Sequence, residues 1–482
     1  MSINLKRFFK ENNKILIISF IISVLIGILN LKRIGIKDSS MMFLATFVLI
    51  IEIYLIFKDM KKSMLLFIIS LPILVTARKV CYFDLLFVKI AYESIYVTIL
   101  FVYNLKNIIK GIRECKNYKS SLFYRFYFII LMFLIFVYNS NIYSINVSKS
   151  LSDTYFGVVV PIMFMLCAIE ILKKEDIKEV IFCLVISIDF SCLYGMMQLL
   201  KDGISFRIII KNRAFLTFGY HNVNIFAAIL VTIMPLLLEM VLYKKLKNKK
   251  EKIFAYSSLL LQGAALIITF TRGAWLCFIA SIFLLLISKK YKKLLIVFIV
   301  AGLILAKPAL SFIISRGTGN TTLLTNESSV ARIQSIFTDI NIIKKYPFGI
   351  GMSNFAHKYK EFAGVGYLSM PEKFRWKVTA AHYMLEHAHN LLLQIGVEFG
   401  IVSLILFIML LINRVKVMLK DYEQNRGLFV SLIIYTIIST MTGNEFNHKG
   451  VITGTLIIFL VFALIQINNK GKCYTKQNKN IR

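Results

Sequence analysis

The feature that most constrains this chain is a series of continuous apolar runs, most of them about 16–22 residues long. A helix of that length crosses the ~30 Å hydrocarbon core of a bilayer. The strands of a β-barrel would instead alternate apolar and polar side chains. The sequence therefore predicts an all-α, polytopic membrane helix bundle of about 12–14 transmembrane helices. The runs lie near residues 15–30, 41–57, 63–77, 83–105, 122–139, 154–172, 179–200, 223–243, 253–270, 273–288, 294–314, 387–412, 427–443 and 450–467.

Composition supports a membrane protein and excludes a soluble enzyme. Hydrophobic residues make up 58% of the 482 residues and charged residues 17%, whereas soluble domains carry about a quarter charged residues. The net charge of +33 would suggest nucleic acid in a soluble protein. Here Lys and Arg are nearly three-fold denser on alternate connections, which is typical of cytoplasmic loops. We therefore expect no nucleic-acid partner, cytoplasmic N- and C-termini, and a first run that is retained rather than cleaved as a signal peptide.

One outer connection, residues 315–386, is far longer than the others. Long connections in compact proteins are usually functional or disordered. Within it, residues 329–346 predict an amphipathic helix on the outer membrane surface, and Pro347 ends it. Its apolar stripe is Ile333, Ile336, Phe337, Ile340 and Ile343, and its polar stripe is Arg332, Ser335 and Asp339. The chain thus divides into four parts. Residues 1–200 form the N-terminal helices, and residues 201–314 form the helices that carry the Arg213 and Arg272 motifs. Residues 315–386 form the outer loop, and residues 387–482 form the C-terminal helices and a cytoplasmic tail.

A single arginine interrupts the apolar stretch 253–288. A continuous helix of that length would span about 54 Å, so the chain must turn near Arg272 and Gly273, at the outer interface. A snorkelling interfacial arginine is the plain interpretation. An arginine at a tight apolar hairpin is more often retained for a partner, and guanidinium grips phosphate oxygens in two-pronged fashion.

A second outer segment carries Arg213 and leads into the helix that begins near Val223. Asn222 and Asn224 are candidate N-caps of that helix. We expect Arg213 to lie at the same membrane level as Arg272.

The third group of polar residues opens the helix that leaves the long outer loop. Asn390, Gln394 and Glu398 recur every fourth residue and form one polar stripe, which could contact an acceptor or bind neighbouring helices. Glu386 lies three residues before His389, within reach to orient its imidazole. A His-x-His pair on a helix does not converge on one ion, so a metal site is the poorer interpretation.

These side chains suggest a chemistry for the outer face. Cationic Arg213, Arg272 and Arg332 suit a lipid-linked diphosphate, and they would stabilise charge on a phosphate leaving group. A neutral His389 suits removal of a proton from an incoming hydroxyl. No metal or other cofactor is needed for such a reaction.

The sequence resembles the O-antigen ligase/polymerase family over about residues 213–411. The resemblance rests on the order and spacing of Thr-Arg-Gly at 271–273, the Pro-Phe-Gly-Ile-Gly-Met-Ser-Asn-Phe run at 347–355, and His-Asn at 389–390 followed by Gly400. It implies a glycosyltransferase of the GT-C class that moves a glycan from undecaprenyl diphosphate, inverting the anomeric centre without metal. His389 then matches the family's base, and Arg272, Arg213 and Arg332 its phosphate-binding arginines. Ser403 stands where ligases often have Gly, Thr or Tyr.

The acceptor is not written in the sequence. We favour a polymerase that adds glycan to a second lipid-linked glycan for capsule or O-antigen in a bacterial cytoplasmic membrane; a ligase acting on lipid A core or protein is the alternative. The expected partners are the undecaprenyl-diphosphate-linked oligosaccharide, the lipid bilayer, a chain-length regulator and a flippase. A transporter of lipid-linked sugars or small anions is a further alternative, in which embedded Lys89, Glu93 and Asp189 would line a path.

Overall fold

The fold is a bundle of sixteen described α-helices with one β-hairpin. The computed structural model describes residues 12–78, 83–116, 122–203, 205, 208–209, 216–220, 222–243, 245–315, 327–375, 385–442, 446 and 452–480. In chain order, helices α1–α16 are Asn13–Lys58, Met60–Arg78, Tyr92–Lys116, Leu122–Ser140, Val147–Thr154, Val160–Ile171, Ile177–Asp202, Val223–Leu242, Lys249–Ile268, Arg272–Leu286, Lys292–Ser315, Glu327–Lys345, Phe355–Ser369, Leu391–Leu419, Tyr422–Thr442 and Ile452–Asn480. A π-helical turn, Tyr155–Val159, joins α5 to α6.

Within the described residues, the predicted apolar runs fall on helices with two corrections. The run predicted at 387–412 becomes helical only at Leu391, so that His387 and His389 precede the helix, and the fourth run begins as a hairpin. Residues 83–90 of the predicted fourth run form an antiparallel hairpin of β1 (Phe83–Leu85) and β2 (Val88–Ile90), and the helix begins only at Tyr92. The reason is Lys89: its ammonium pairs with Asp153 and with Asp84, its cross-strand partner. A buried ammonium needs a carboxylate partner. The hairpin places the Asp84 carboxylate beside Lys89, which a continuous apolar helix would not do.

The exposed surface of the helices is apolar, as expected for a membrane protein. Leu260 on α9 is 76% exposed and Leu303 on α11 is 73% exposed. Eight helical segments in the described part of the chain are long and apolar enough to cross a membrane, and two shorter apolar helices accompany them. Helix α1 holds two of the predicted runs, because it breaks at Gly35, whose φ is +78°. The predicted all-α polytopic bundle is thus confirmed.

Helix α15 lies at the centre of the part of the bundle that concerns the site. It packs against α8, α10 and α14. Helix α8 is buried along nearly its whole length, and the Ser431 hydroxyl of α15 donates to the Thr232 carbonyl of α8 at 2.7 Å. Helix α15 is therefore held firmly within the bundle, and other elements can pack against its end at Thr442.

Helix α14 is broken at Gly400, where φ is +87° and ψ is 171°. The backbone groups released by the break are bound by the turn that follows α12. The Ile401 N–H donates to the Pro347 carbonyl at 2.9 Å, and the Ile350 N–H donates to the Val397 carbonyl at 3.1 Å. Buried backbone groups must be paired, so the turn at 347–351 and the glycine at 400 form one structural unit.

The outer segment folds over this break. The helix predicted at 329–346 is α12, and it packs against α13 and α14. Its polar stripe faces the protein, since Ser335 and Asp339 are fully buried, while apolar Ile336 and Ile340 are more than a third exposed. A small second core joins these elements: Ile342, Ile350, Phe355, Tyr359, Ala363, Leu385, Ala388 and Val397.

Candidate functional site

The predicted turn at Arg272 is present. Helix α9 ends at Ile268 and α10 begins at Arg272 itself, so the reversal occurs over residues 269–271. Phe270 takes a left-handed backbone, with φ of +48°, which few large side chains adopt. The Trp275 indole secures the reversal by donating to the Leu266 carbonyl at 2.9 Å.

Arg272 is half-buried at this turn without a counter-ion. Within the described residues, no carboxylate pairs with its guanidinium, and its Nε is buried with no hydrogen-bond partner. A buried, unpaired cation is unfavourable and is normally retained to receive an anion. Neighbouring Thr271 donates to the Asn224 side chain at 3.3 Å, which ties the turn to the start of α8.

The same turn lies against the end of α15. A Cβ on Gly273 would stand 3.3 Å from the Met441 sulfur and 3.4 Å from Ile438. The close approach explains the glycine after Arg272: larger side chains would push α10 away from α15. The first turn of α10 is thereby placed beside Met441 and Thr442.

His389 lies beside the same end of α15, where the Thr442 backbone acts on its imidazole. Burial, and next the positive charge of Arg332, lower the pKa of His389 to about 4, against a smaller opposite effect of the Thr442 backbone. The imidazole is therefore neutral at physiological pH. One ring nitrogen of a neutral imidazole carries a lone pair, and that nitrogen can accept a proton.

Local backbone geometry also sets where His389 points. His389 has a left-handed φ of +52°, and both backbone groups of the preceding Ala388 are bound by side chains. Its N–H donates to Gln394 Oε1 at 2.8 Å, and its carbonyl accepts from the Ser335 hydroxyl at 3.3 Å. Asn390 caps α14, its side chain accepting from the N–H groups of residues 392 and 393.

The polar stripe of α14 therefore has structural partners. Besides Asn390 and Gln394, Glu398 is buried and accepts from the Ser353 N–H at 2.9 Å. These bonds favour the interpretation of the stripe as internal hydrogen bonding. Its contact with an acceptor stays a prediction.

Of the predicted site residues, the structure brings Arg272, Arg332 and His389 to the C-terminal end of α15. Arg213 lies outside the described residues. The Glu386 side chain is exposed, and its predicted role as the group that orients the imidazole stays a prediction. Sequence reasoning missed the nearby Thr442 backbone, since backbone groups leave no signal in residue types.

The embedded charges named for a transport path have partners too. Asp189 on α7 accepts from Ser258 Oγ at 2.5 Å and from Gln262 Nε2 at 2.9 Å, both on α9. Lys89 is buried against Asp153. These contacts hold helices and the hairpin together.

Residues 257–408 match the family model described as O-antigen ligase. The match includes Arg272, Arg332 and His389, and it supports the resemblance predicted from the motifs. It points to glycan transfer of the O-antigen ligase type by a membrane enzyme, with lipid-linked oligosaccharide as the implied substrate. No curated protein matches the chain.

Proposed function

We propose that this protein, whose residues 257–408 match the O-antigen ligase family model, is a polysaccharide polymerase. It transfers glycan from undecaprenyl diphosphate to a lipid-linked glycan acceptor at the outer face of the bacterial cytoplasmic membrane. The observation that carries the proposal is the Arg272 guanidinium, which has no counter-ion among the described residues and lies at the same helix end as a neutral His389. A diphosphate and a hydroxyl are the two groups that this pair is suited to receive.

Arg272 receives the diphosphate. Its position at the first residue of α10 adds the unpaired N–H groups of a helix N-terminus, which favour anions. Arg332, whose charge acts on His389, is the second cation near the leaving group. Arg213 is proposed as a third on the motif alone.

His389 acts as the base in a single displacement. The acceptor hydroxyl oxygen attacks the anomeric carbon while its proton passes to the free ring nitrogen of His389. A glycosidic C–O bond forms, and the bond between the anomeric carbon and phosphate oxygen breaks. The electron pair leaves with undecaprenyl diphosphate, whose charge the arginines stabilise. The anomeric centre inverts, and no metal takes part.

Donor binding also makes the base stronger. In the free protein, the charge of Arg332 disfavours the imidazolium form of His389. A bound diphosphate neutralises that charge, so the pKa of His389 rises toward its ordinary value. The base thus becomes effective only when the donor is in place.

A direct test uses the lipid-linked oligosaccharide that accumulates in a strain lacking this protein. Purified protein in nanodiscs is given this lipid, and the products are separated by size while released undecaprenyl diphosphate is quantified. We expect Arg272→Ala and His389→Ala to lower turnover at least 100-fold. Arg113→Ala and His357→Ala are matched controls, because both side chains are exposed.

The product pattern separates the candidate functions. A ladder of lengthened lipid-linked glycans supports a polymerase. Glycan that appears only on added lipid A core or protein supports a ligase. Normal activity in both the Arg272 and the His389 variants would refute the proposed site. Strict dependence on added Mg²⁺ or Mn²⁺ would refute the metal-free step.

A further inference from the structure

We propose that Asp339 is a positioning residue that acts as a neutral acid. Its carboxyl O–H donates a hydrogen bond to Ser335 Oγ. The Ser335 hydroxyl in turn donates a hydrogen bond to the carbonyl of Ala388, the residue before His389. This inference rests on the proposed role of His389 as the base. It assigns a purpose to the buried polar stripe of α12.

The geometry of three groups supports this chain of hydrogen bonds. Ser335 Oγ lies 3.1 Å from Asp339 Oδ2 and 3.3 Å from the Ala388 carbonyl oxygen. Both partners are acceptors if Asp339 is ionised, yet a hydroxyl has one proton to donate. If Asp339 is protonated, its O–H donates to Ser335 Oγ, and the serine proton is free for Ala388. Only the neutral acid satisfies both contacts.

The surroundings of Asp339 also favour the neutral form. Its side chain is fully buried, and its second oxygen, Oδ1, has no hydrogen-bond partner among the residues that the structure describes. Burial raises the pKa of Asp339 well above its usual range, against a smaller lowering by Ser335. The titratable group that acts on it from a neighbouring element is Tyr359 on α13. Tyr359 itself has a raised pKa, from burial and then from Asp339.

The consequence for catalysis follows from the two clamps on Ala388. Gln394 holds its N–H and Ser335 holds its carbonyl. Ala388 directly precedes His389, so a loosened carbonyl lets the left-handed His389 backbone relax. The imidazole would then move away from Thr442 and from its place beside the acceptor hydroxyl. A mispositioned base should lower kcat and leave KM nearly unchanged, because ground-state binding is unaffected.

The test compares three variants with the parent in the nanodisc assay. Asp339→Asn keeps a neutral donor, and we expect turnover within about three-fold of the parent. Asp339→Leu and Ser335→Ala remove the donor chain, and we expect kcat to fall more than ten-fold with KM changed less than three-fold. The parent should also lose activity at alkaline pH as Asp339 ionises. Asp339→Asn should lack that alkaline loss.

Each outcome has a clear meaning. Inactive but monodisperse Asp339→Asn protein would show that an ionised carboxylate is needed and would overturn the inference. Full activity in Ser335→Ala would overturn it as well, since the clamp would then be unnecessary. If Asp339→Leu does not fold, the Asn and Ala variants still decide. Failure of the proposed function is recognised separately, because His389→Ala would then be active.

Discussion

Gly400→Ala is expected to disrupt the coupling between the broken helix α14 and the turn at 347–351. A Cβ on Gly400 would stand 2.5 Å from the Phe348 carbonyl carbon and 2.7 Å from the Pro347 oxygen. Both are backbone atoms and cannot rotate away. The backbone angles of Gly400, φ +87° and ψ 171°, lie in a region that is essentially restricted to glycine.

The expected loss of stability is the sum of two costs, the backbone strain and the steric overlap. Holding alanine in the strained conformation costs roughly 1–3 kcal/mol, and the steric overlap with the turn adds roughly 1–3 kcal/mol. We expect Gly400→Ala to lower the free energy of unfolding by about 2–6 kcal/mol. Gly263→Ala is the matched control: it lies within α9 with nothing within 4 Å of the added Cβ, and alanine there should stabilise by about 0.5–1 kcal/mol.

The assay is the temperature at which half of the detergent-purified protein remains monodisperse after brief heating. Gly400→Ala should fall well below the parent, and Gly263→Ala should equal or exceed it. Turnover of Gly400→Ala, measured below its transition, should also fall, because displacement of the turn breaks the contacts of Glu398 with Ser353. Equal midpoints for the two alanine variants would refute the argument that the turn and the break are one unit.

Three further predictions concern charge. Arg332→Gln removes the positive charge that is the second-largest cause of the lowered His389 pKa. Because only the neutral imidazole is active, the acid limb of the kcat/KM profile should move upward from near pH 4 and stay below pH 6.5. Arg332→Lys keeps the charge and should not shift this limb. An unmoved limb in the glutamine variant would contradict this electrostatic link. Lys89→Met leaves Asp153 buried without its cation and should lower the free energy of unfolding by about 3–5 kcal/mol. Adding Asp153→Asn to the same chain should partly restore the midpoint temperature of the heating assay. An unchanged midpoint in Lys89→Met would show that the pair is dispensable. Asp189→Asn should leave glycan transfer within about two-fold, as its contacts are structural, whereas loss of activity would revive a transport role for that charge.

The architecture of the membrane region could be predicted because its cause is local. The run 225–238 is apolar except for Thr232, and in a bilayer only a helix satisfies its backbone groups. The reversal before Arg272 followed from length alone, since one helix could not hold residues 253–288 and remain within the membrane. The amphipathic helix α12 followed from side-chain periodicity.

What failed was the assignment of residues 83–90, which are apolar enough to continue a helix. The hairpin is set by Lys89 and its partner Asp153, 64 residues apart in the sequence. No local pattern reports such a pair. The same limit applies to Asp189, whose two partners, Ser258 and Gln262, are on α9.

The sequence by itself determined which segments are apolar enough to cross the membrane and which residue types stand in the connections between them. Apolar runs, basic loops and motif spacing are properties of the chain. Only the tertiary structure decided how those side chains are placed: His389 lies beside Thr442, Ser335 and Gln394 bind the residue before it, and Arg272 has no counter-ion among the described residues. These contacts join distant segments through backbone carbonyls and through burial, so they arise only once the helices have packed.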